Sequence, residues 1–466
     1  VVYGALSYAV WIIIQAKVGE YYQVTQLQSV KTIIRCAKNQ AIEPVKLVLP
    51  VKNLLVMEAV EGMLIELDSL IVSDFYGTGF ALENYGQMVL SSKLQFVPTE
   101  LKPVLLAEYQ NAVEVFKHDR IILDDGSFEL KPSYIPYPDL KGLSISNALV
   151  VGMNVESFIG VKHGFKQHNI VVPKSTVSFD PYQPQNIKAI ADSSNIKIAY
   201  INLKNHFNGE GEDKHFPTKR GAKTKKDFLI QQTKLVEVLV QSNTDIIALV
   251  EIENDGFKQY SAIVELVSVL NRTQSDENQY TYIQVNPSSL NSDAITQGFL
   301  YRPNKVKLLG RARWVDLNHN KNQFKVRPAL KQSFDIGGEA LTIVLSHFKS
   351  RRGKCAEDKN IALVEGNCYS VRLRSAQIMT EHLKDSDESI ILLGDLNAYS
   401  KELALRWFVS NGFVNGKYTS LYKQGIAYTY SYNGLLGSLD HVLFNEKAKQ
   451  KINTIVDWHI NSVAPA

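Results

Sequence analysis

The chain has 466 residues, 45% of them hydrophobic and 21% charged, the balance of a globular protein with enough apolar surface for two domains or three. A formal net charge of +4 suits an anionic partner without demanding one. Three cysteines are too few for a disulfide scaffold, and the sequence carries no low-complexity tract and no internal repeat.

The first residues, VVYGALSYAVWIII, are apolar but too short for a bilayer, which needs about 20 residues. No basic residue precedes them, so a signal peptide is poorly supported, and they read as a buried strand pair of a chain that begins mid-domain. Up to about residue 140 the pattern is mostly strands: VGEYYQVTQLQSVKTII, KLVLPV, GMLIELDSLIVSD, YGQMVLSS and FVPTE. A small β-barrel or sandwich is expected there. NVESFIGVKHGFKQHNIVV closes this first unit, and SFDPYQPQN reads as the linker behind it.

The second half changes character. IKIAYINL is a strand followed by a basic, polar insertion and a helix from about Lys223 to Ser242, with Phe228, Gln232, Leu235 and Leu239 on one face. DIIALVEIE is a buried strand, GFKQYSAIVELVSVLNRT an amphipathic helix, and YTYIQV, AITQGFLYR, KVKLLGRARWV and ALTIVLSHFKS are strands. VRLRSAQIMTEHLKD is a helix. Several strands in succession rule out strict βαβ alternation. The expectation is an α/β (α+β) fold of two packed mixed sheets flanked by helices.

Polar side chains then fall at the ends of these apolar strands. In SIILLGDLNAYS the run Ile390–Leu393 stops at Gly394, and Asp395 and Asn397 share one face because side chains two apart in a strand point the same way. A carboxylate beside an amide suits a hard divalent cation, or a phosphate and its attacking water. Asn202 interrupts IAYINL; Glu251 and Glu253 end DIIALVEIE; Asp293 opens the strand that ends in Tyr301 and Arg302. Arg327 lies in KVRPALKQSF, His347 ends LTIVLSHF, and Asp440 sits in GSLDHVLF. Each has an ordinary structural explanation when taken singly. A whole series of them closing otherwise apolar strands points to one site.

The phrases YINLKN, ALVEIENDG, GFLYRPNKV, VLSHFKS, GDLNAYS and GSLDHVLF resemble the endonuclease/exonuclease/phosphatase superfamily, to which deoxyribonuclease I belongs. KRGAK, EIENDG, RPAL, HFKS, YSYNGLLGSLDH and DWHIN are similar to the secreted bacterial ExeM/NucH-type extracellular nucleases. The resemblance is strong over roughly 190 to 462. It implies a four-layer α/β sandwich at 190–466, preceded by a β-rich, OB-like but incomplete unit and its linker at 1–185. Implied catalytic residues are Asn202, Glu251, His347, Asp395, Asn397 and Asp440. Glu251 would be the principal ligand of Mg²⁺ or Mn²⁺, with Ca²⁺ a third candidate, and Asn202 beside it would contact the metal or a phosphate. Asp395 would align or deprotonate water, Asn397 would hold the scissile phosphate, and His347 would bond a phosphate oxygen, with Asp293 as a partner for its other nitrogen. Arg327 and Tyr301 would face substrate along with Asp293. Asp440 matches a carboxylate that orients a catalytic His in the family. That His belongs to a Ser-Asp-His segment on a last strand, which is not found before the chain stops at DWHINSVAPA.

The implied activity is a secreted nuclease, extracellular or periplasmic, that hydrolyses DNA or RNA as a monomer. A phosphatase of lipid or inositol head groups is the competing enzyme, and a catalytically impaired nucleic-acid-binding protein is the competitor from another class. Two basic stretches, Lys214, Lys219, Arg220, Lys223, Lys225, Lys226 and Lys349, Arg351, Arg352, Lys354, flank the site strands and suit phosphate-backbone contact. Cys355 and Cys368 fall in one polar loop and could close a local bridge that contributes roughly 3 kcal/mol and implies an oxidising compartment, leaving Cys36 free.

Overall fold

A computed structural model describes residues 9–22, 24–75, 82–144, 147–181, 196–286, 292–318, 326–356, 358–384, 386–423 and 427–460. The C-terminal half is organised by the strand Ile246–Glu253, whose first five residues are all buried. It pairs in parallel with Ile198–His206 and antiparallel with Ile295–Tyr301, and Thr281–Tyr282 completes a four-stranded mixed sheet. A six-stranded sheet runs in the order Lys307–Val315, Ala329–Ile336, Glu339–His347, Ile390–Asp395, Asp440–Phe444, Val414–Asn415. Its parallel pair is Glu339–His347 with Ile390–Asp395.

The period-2 geometry of strands explains why these runs are apolar on both sides. Ile246, Ala248 and Val250 face the second sheet, in one cluster with Phe299, Ile343, Leu345, Ile391 and Leu393. Ile247 and Leu249 face outward onto the helices Lys225–Ser242 and Ala262–Asn271. Val344, Ile390 and Leu392 face the helices Tyr369–Leu383 and Leu403–Ser410. The result is four layers, helix, sheet, sheet, helix, as the expected fold requires. Each buried Leu or Ile in these faces contributes about 1.5–3 kcal/mol by leaving water.

The N-terminal half is β-rich, with an eight-stranded sheet in the order Val45–Leu47, Leu64–Leu67, Phe158–Phe165, His168–Pro173, Ile121–Leu123, Met88–Ser91, Leu70–Asp74, Asn154–Val155. Among the described residues no ladder joins its two outer strands, so it is an open sheet, not a closed barrel. The helix Leu106–His118 lies where strands were expected. None of its residues is buried, so no core face betrays it, although the Glu108 carboxylate caps the Leu105 amide at 3.0 Å. The first strands also differ from expectation. Ala9–Tyr21 and Val24–Gln40 form a two-stranded ribbon that is exposed, with Ile13 61% and Ile33 62% accessible, because nothing described is layered over it. Of the expected linker, Phe179 packs on Tyr137 of the first unit, and residues 182–195 lie outside the described ones.

The halves share a small three-stranded sheet in which Gln95–Phe96 pairs in parallel with Leu435–Gly437. Leu436 is thereby buried in the N-terminal core. No described helix is long and apolar enough to cross a membrane.

Cys355 and Cys368 are joined, with Cα atoms 5.2 Å apart, and Cys36 is free and exposed. Thiol counting in denaturant without reductant should therefore find a single reactive thiol, and reduction should lower unfolding stability by roughly 3 kcal/mol. Three reactive thiols before reduction would contradict the bridge.

Candidate active site

The site forms where strands of the two large sheets end side by side. Glu251 reaches it through an irregularity in its strand. Val250 pairs with Gln297 and Ile252 with Thr296, so Glu251 is an extra residue with no partner of its own in that ladder. Its φ of 63° is left-handed, a conformation that costs an ordinary residue of order 1–3 kcal/mol. The bulge turns the Glu251 carboxylate toward the second sheet. The neighbouring strand loses register between Asn202 and His206, with Lys204 and Asn205 also at positive φ.

On the second sheet the alignment is regular. His347 pairs with Asp395, and Asp395 pairs with Asp440, so three polar residues stand in one row across adjacent strands. Gly394 makes this possible: a Cβ there would lie 1.9 Å from the Ser346 carbonyl oxygen. The strand can approach its neighbour only because that atom is absent. Beyond the strand end, Asn397 (φ 50°) folds back so that its amide donates to Asp395 Oδ1 at 3.0 Å, and its Nδ2 donates to the Phe348 carbonyl at 3.3 Å.

The two sheets meet at His347, whose Nε2 lies 3.8 Å from Glu251 Oε1 and 3.6 Å from Asp395 Oδ2. Glu251, His347 and Asp395 each offer a ligand atom, all within 4.8 Å of one another. Asn202 Nδ2 donates to Asp395 Oδ2 at 3.3 Å, while its Oδ1 accepts from the Lys204 amide at 2.8 Å. Asn202 thus turns its nitrogen toward Asp395, an orientation that suits a phosphate oxygen.

Burial pushes the Asp395 carboxyl well above the usual carboxylate range, the neighbouring charges of Asp440 and Glu251 push it the same way, and Arg327 opposes them. Asp440 is also raised, chiefly by burial. Burial holds the His347 imidazole well below its ordinary value, and the positive charges of Arg327 and Arg220 add to this, so the ring is neutral at pH 7. The two carboxylates, as hard oxygen donors, fit a divalent cation such as Mg²⁺ or Mn²⁺, and the neutral imidazole beside them keeps an N–H to donate.

Other expected residues fall elsewhere. Tyr301 pairs with Ile246, at the opposite end of the strand from Glu251, ~16 Å away at about 3.3 Å per residue, so it does not face the cluster. Asp293 is not bonded to His347. It accepts from Arg220 at 2.8 Å and Arg327 at 3.0 Å. Arg327 in turn donates to the carbonyls of His347 and Phe348, which fixes its guanidinium beside the site. Asp440, expected to orient an imidazole, accepts from the Tyr200 hydroxyl at 2.9 Å. Tyr200 was missed, although its place two residues before Asn202 on the same strand face was a usable signal. His441 is buried with Nε2 2.8 Å from the Ala398 carbonyl oxygen, outside the cluster.

The basic stretches divide similarly. Arg220 stands at the rim with its side chain 41% exposed. Lys214 is committed to Glu265 at 3.0 Å and to the Tyr260 carbonyl. Arg351 is turned inward onto Glu402 at 2.5 Å and the ring of Tyr399.

No family model matches the sequence, and the search of curated proteins finds no match. Solved structures do match. An endonuclease/exonuclease/phosphatase family protein from Leptotrichia buccalis is 13% identical, with 54% of this chain and 88% of that one covered at a TM-score of 0.38. The Bacteroides thetaiotaomicron mannosyl-6-phosphatase Bt3783 is 16% identical, covering 54% and 85% at a TM-score of 0.36. Humanized D. rerio TDP2 is 13% identical, covering 54% and 83% at a TM-score of 0.34. At these scores no activity passes from them to this chain, and the fold stands on its own strand order.

Addition of Mg²⁺ or Mn²⁺ should raise the melting temperature of the chain, and Glu251→Gln should abolish the rise. An equal rise in both proteins would remove Glu251 from the metal site.

Proposed function

We propose that the chain is a divalent-metal-dependent phosphodiesterase of the endonuclease/exonuclease/phosphatase superfamily that hydrolyses nucleic acid, DNA foremost, outside the cell. The observation that carries this reading is the convergence of Glu251, His347 and Asp395 from two sheets, ringed by the amides of Asn202 and Asn397 and the guanidiniums of Arg327 and Arg220. Negative groups to hold a cation lie beside neutral and positive donors for a phosphodiester. The disulfide supports an oxidising compartment.

Glu251 would be the residue that holds the cation, whose chemistry there is neutralisation of charge at the phosphoryl oxygens and a more acidic water. The residues divide the remaining work. Asp395, with a raised proton affinity, suits the task of orienting the attacking water and taking its proton. Neutral His347 and the amide nitrogen of Asn202 donate to nonbridging phosphate oxygens, preorganised for the charge that develops there. Arg327, clamped by backbone carbonyls, gives a fixed positive charge, and half-exposed Arg220 reaches toward the substrate backbone. Asp440, held by Tyr200, sets the charge around Asp395.

The test is cleavage of supercoiled plasmid with Mg²⁺ or Mn²⁺, with chelator as the control and with RNA and a phosphoinositide as competing substrates. Asp395→Asn and His347→Ala should each lower the rate roughly 10²–10⁴-fold, with Tyr301→Phe close to wild type. Preferred hydrolysis of the phosphoinositide would move the enzyme to the head-group phosphatases. DNA binding without metal-dependent cleavage would leave a binding protein.

The rate should also depend on pH with a defined sign. Asp395 must be ionised to act, and burial raises its proton affinity in the metal-free chain, so at sub-saturating metal the rate should rise with pH along a limb above the ordinary carboxylate range. Asp440→Asn removes a like charge and should shift that limb toward lower pH in a kcat/KM profile. A shift toward higher pH would exclude this coupling.

A further inference from the structure

The reactive groups lie in the C-terminal half, yet the loops that carry two of them are gripped from the N-terminal half. Glu100, in the short helix Pro98–Leu101, is 0% exposed. Its Oε1 accepts from the Ser400 hydroxyl at 2.5 Å, and the Tyr418 hydroxyl donates to the Glu100 carbonyl oxygen at 2.6 Å with Oε1 3.0 Å away. Its Oε2 accepts from the backbone amides of Ser438 at 2.9 Å and Ser400 at 3.3 Å. A cation stands close by: Lys401 packs over the Tyr418 ring, 3.6 Å from its centroid, and feels the Glu100 charge.

Both loops lead straight into the site. Ser400 lies three residues beyond Asn397, and Ser438 two residues before Asp440. The Leu396 amide donates to the Leu439 carbonyl at 2.9 Å, which ties one loop to the other. A carboxylate that accepts from both loops fixes their separation, and its loss would leave two buried amides without partners. Docking of the halves has other support. Gln95–Phe96 pairs with Leu435–Gly437, the Thr99 hydroxyl donates to Glu402 at 3.2 Å, and the Lys401 amide donates to the Thr99 carbonyl at 2.8 Å.

We infer that Glu100 is a positioning residue of the site: from the N-terminal unit it sets the Asn397–Ser400 and Ser438–Asp440 loops, and through them the placement of Asp395, Asn397 and Asp440. Its consequence for rate rests on the phosphodiesterase reading; its consequence for loop order does not. The N-terminal unit is therefore part of the catalytic apparatus.

The experiment compares wild type, Glu100→Ala and Glu100→Gln in the full chain, by hydrogen exchange and by steady-state hydrolysis of bis(p-nitrophenyl) phosphate with Mn²⁺. Glu100→Ala should exchange faster at residues 396–401 and 436–441 while residues 390–393 stay protected. Its kcat should fall by up to roughly 10²-fold, the scale of an ångström's misplacement, with KM little changed. Glu100→Gln should restore both readouts, because one amide oxygen can accept from both backbone amides and the amide nitrogen can donate to the two hydroxyls. Unchanged exchange in Glu100→Ala, a loss confined to KM, or no rescue by Gln would overturn the inference. Should Glu100→Ala fail to fold, Glu100→Asp, one methylene shorter, makes the same comparison against Gln. Wild type inert toward the diester but with exchange responding as stated would remove the phosphodiesterase reading alone.

Discussion

The site is governed by the cost of gathering like charges in a crevice with an apolar floor. Asp395 and Asp440 are direct cross-strand neighbours, and Glu251 reaches them from the facing sheet. Two unit charges 4 Å apart repel by about 4 kcal/mol at the effective dielectric near a protein surface. Beneath them lies the apolar intersheet layer of Ile246, Val250, Phe299, Leu345 and Leu393. Arg327 and Arg220 offset part of the repulsion, but both are already paired with Asp293. The arrangement is therefore most stable with a cation or a proton among the carboxylates. Burial and this repulsion together raise the proton affinity of Asp395, and the same two causes would favour a cation at the cluster.

Bringing those groups together needs backbone that no regular strand supplies. Glu251 occupies a left-handed bulge, Asn397 a left-handed turn, and Gly394 a strand contact too close for any Cβ. Such conformations persist where surrounding structure over-determines them. Here the surroundings include the four-layer sandwich below and the N-terminal unit behind. Glu402, pushed up to about 7 by burial despite the Arg351 guanidinium beside it, joins Thr99 of one half to the disulfide-bearing loop of the other. The strained strand ends thus stand directly beside the hydrogen bonds and ion pair that join the halves.

Much of this was legible in the chain. Doubly buried strands betray themselves as unbroken apolar runs, as in DIIALVEIE and SIILLGDLN, and the polar residues within or at the ends of these and neighbouring strands marked Asn202, Glu251, His347, Asp395, Asn397 and Asp440 as candidates for one place. The exposed helix Leu106–His118 left no such trace, because a helix with no buried face has no periodic core pattern to read. The uncovered ribbon Ala9–Tyr21 and Val24–Gln40 misled for the opposite reason: its residues are apolar, and composition does not say whether another layer will lie on them.

Pairing was the part that sequence left open. Tyr301 looked like a site residue because it ends a strand, but that strand runs antiparallel to Ile246–Glu253, so its end lies at the far edge of the sheet and its start, at Asp293, lies near the site. Whether Asp293 meets an imidazole or two guanidiniums, and whether Asp440 meets a histidine or Tyr200, depends on which strands become neighbours and in what register. The grip of Glu100 on Ser400, 300 positions away in the chain, depends on how two units dock. Local sequence determined the strands and the chemistry at their ends, because burial and side-chain alternation act over a few residues. Partnership was decided by tertiary structure alone, because a hydrogen bond is satisfied by whatever donor the fold brings within 3 Å, and no residue encodes its distant partner by itself.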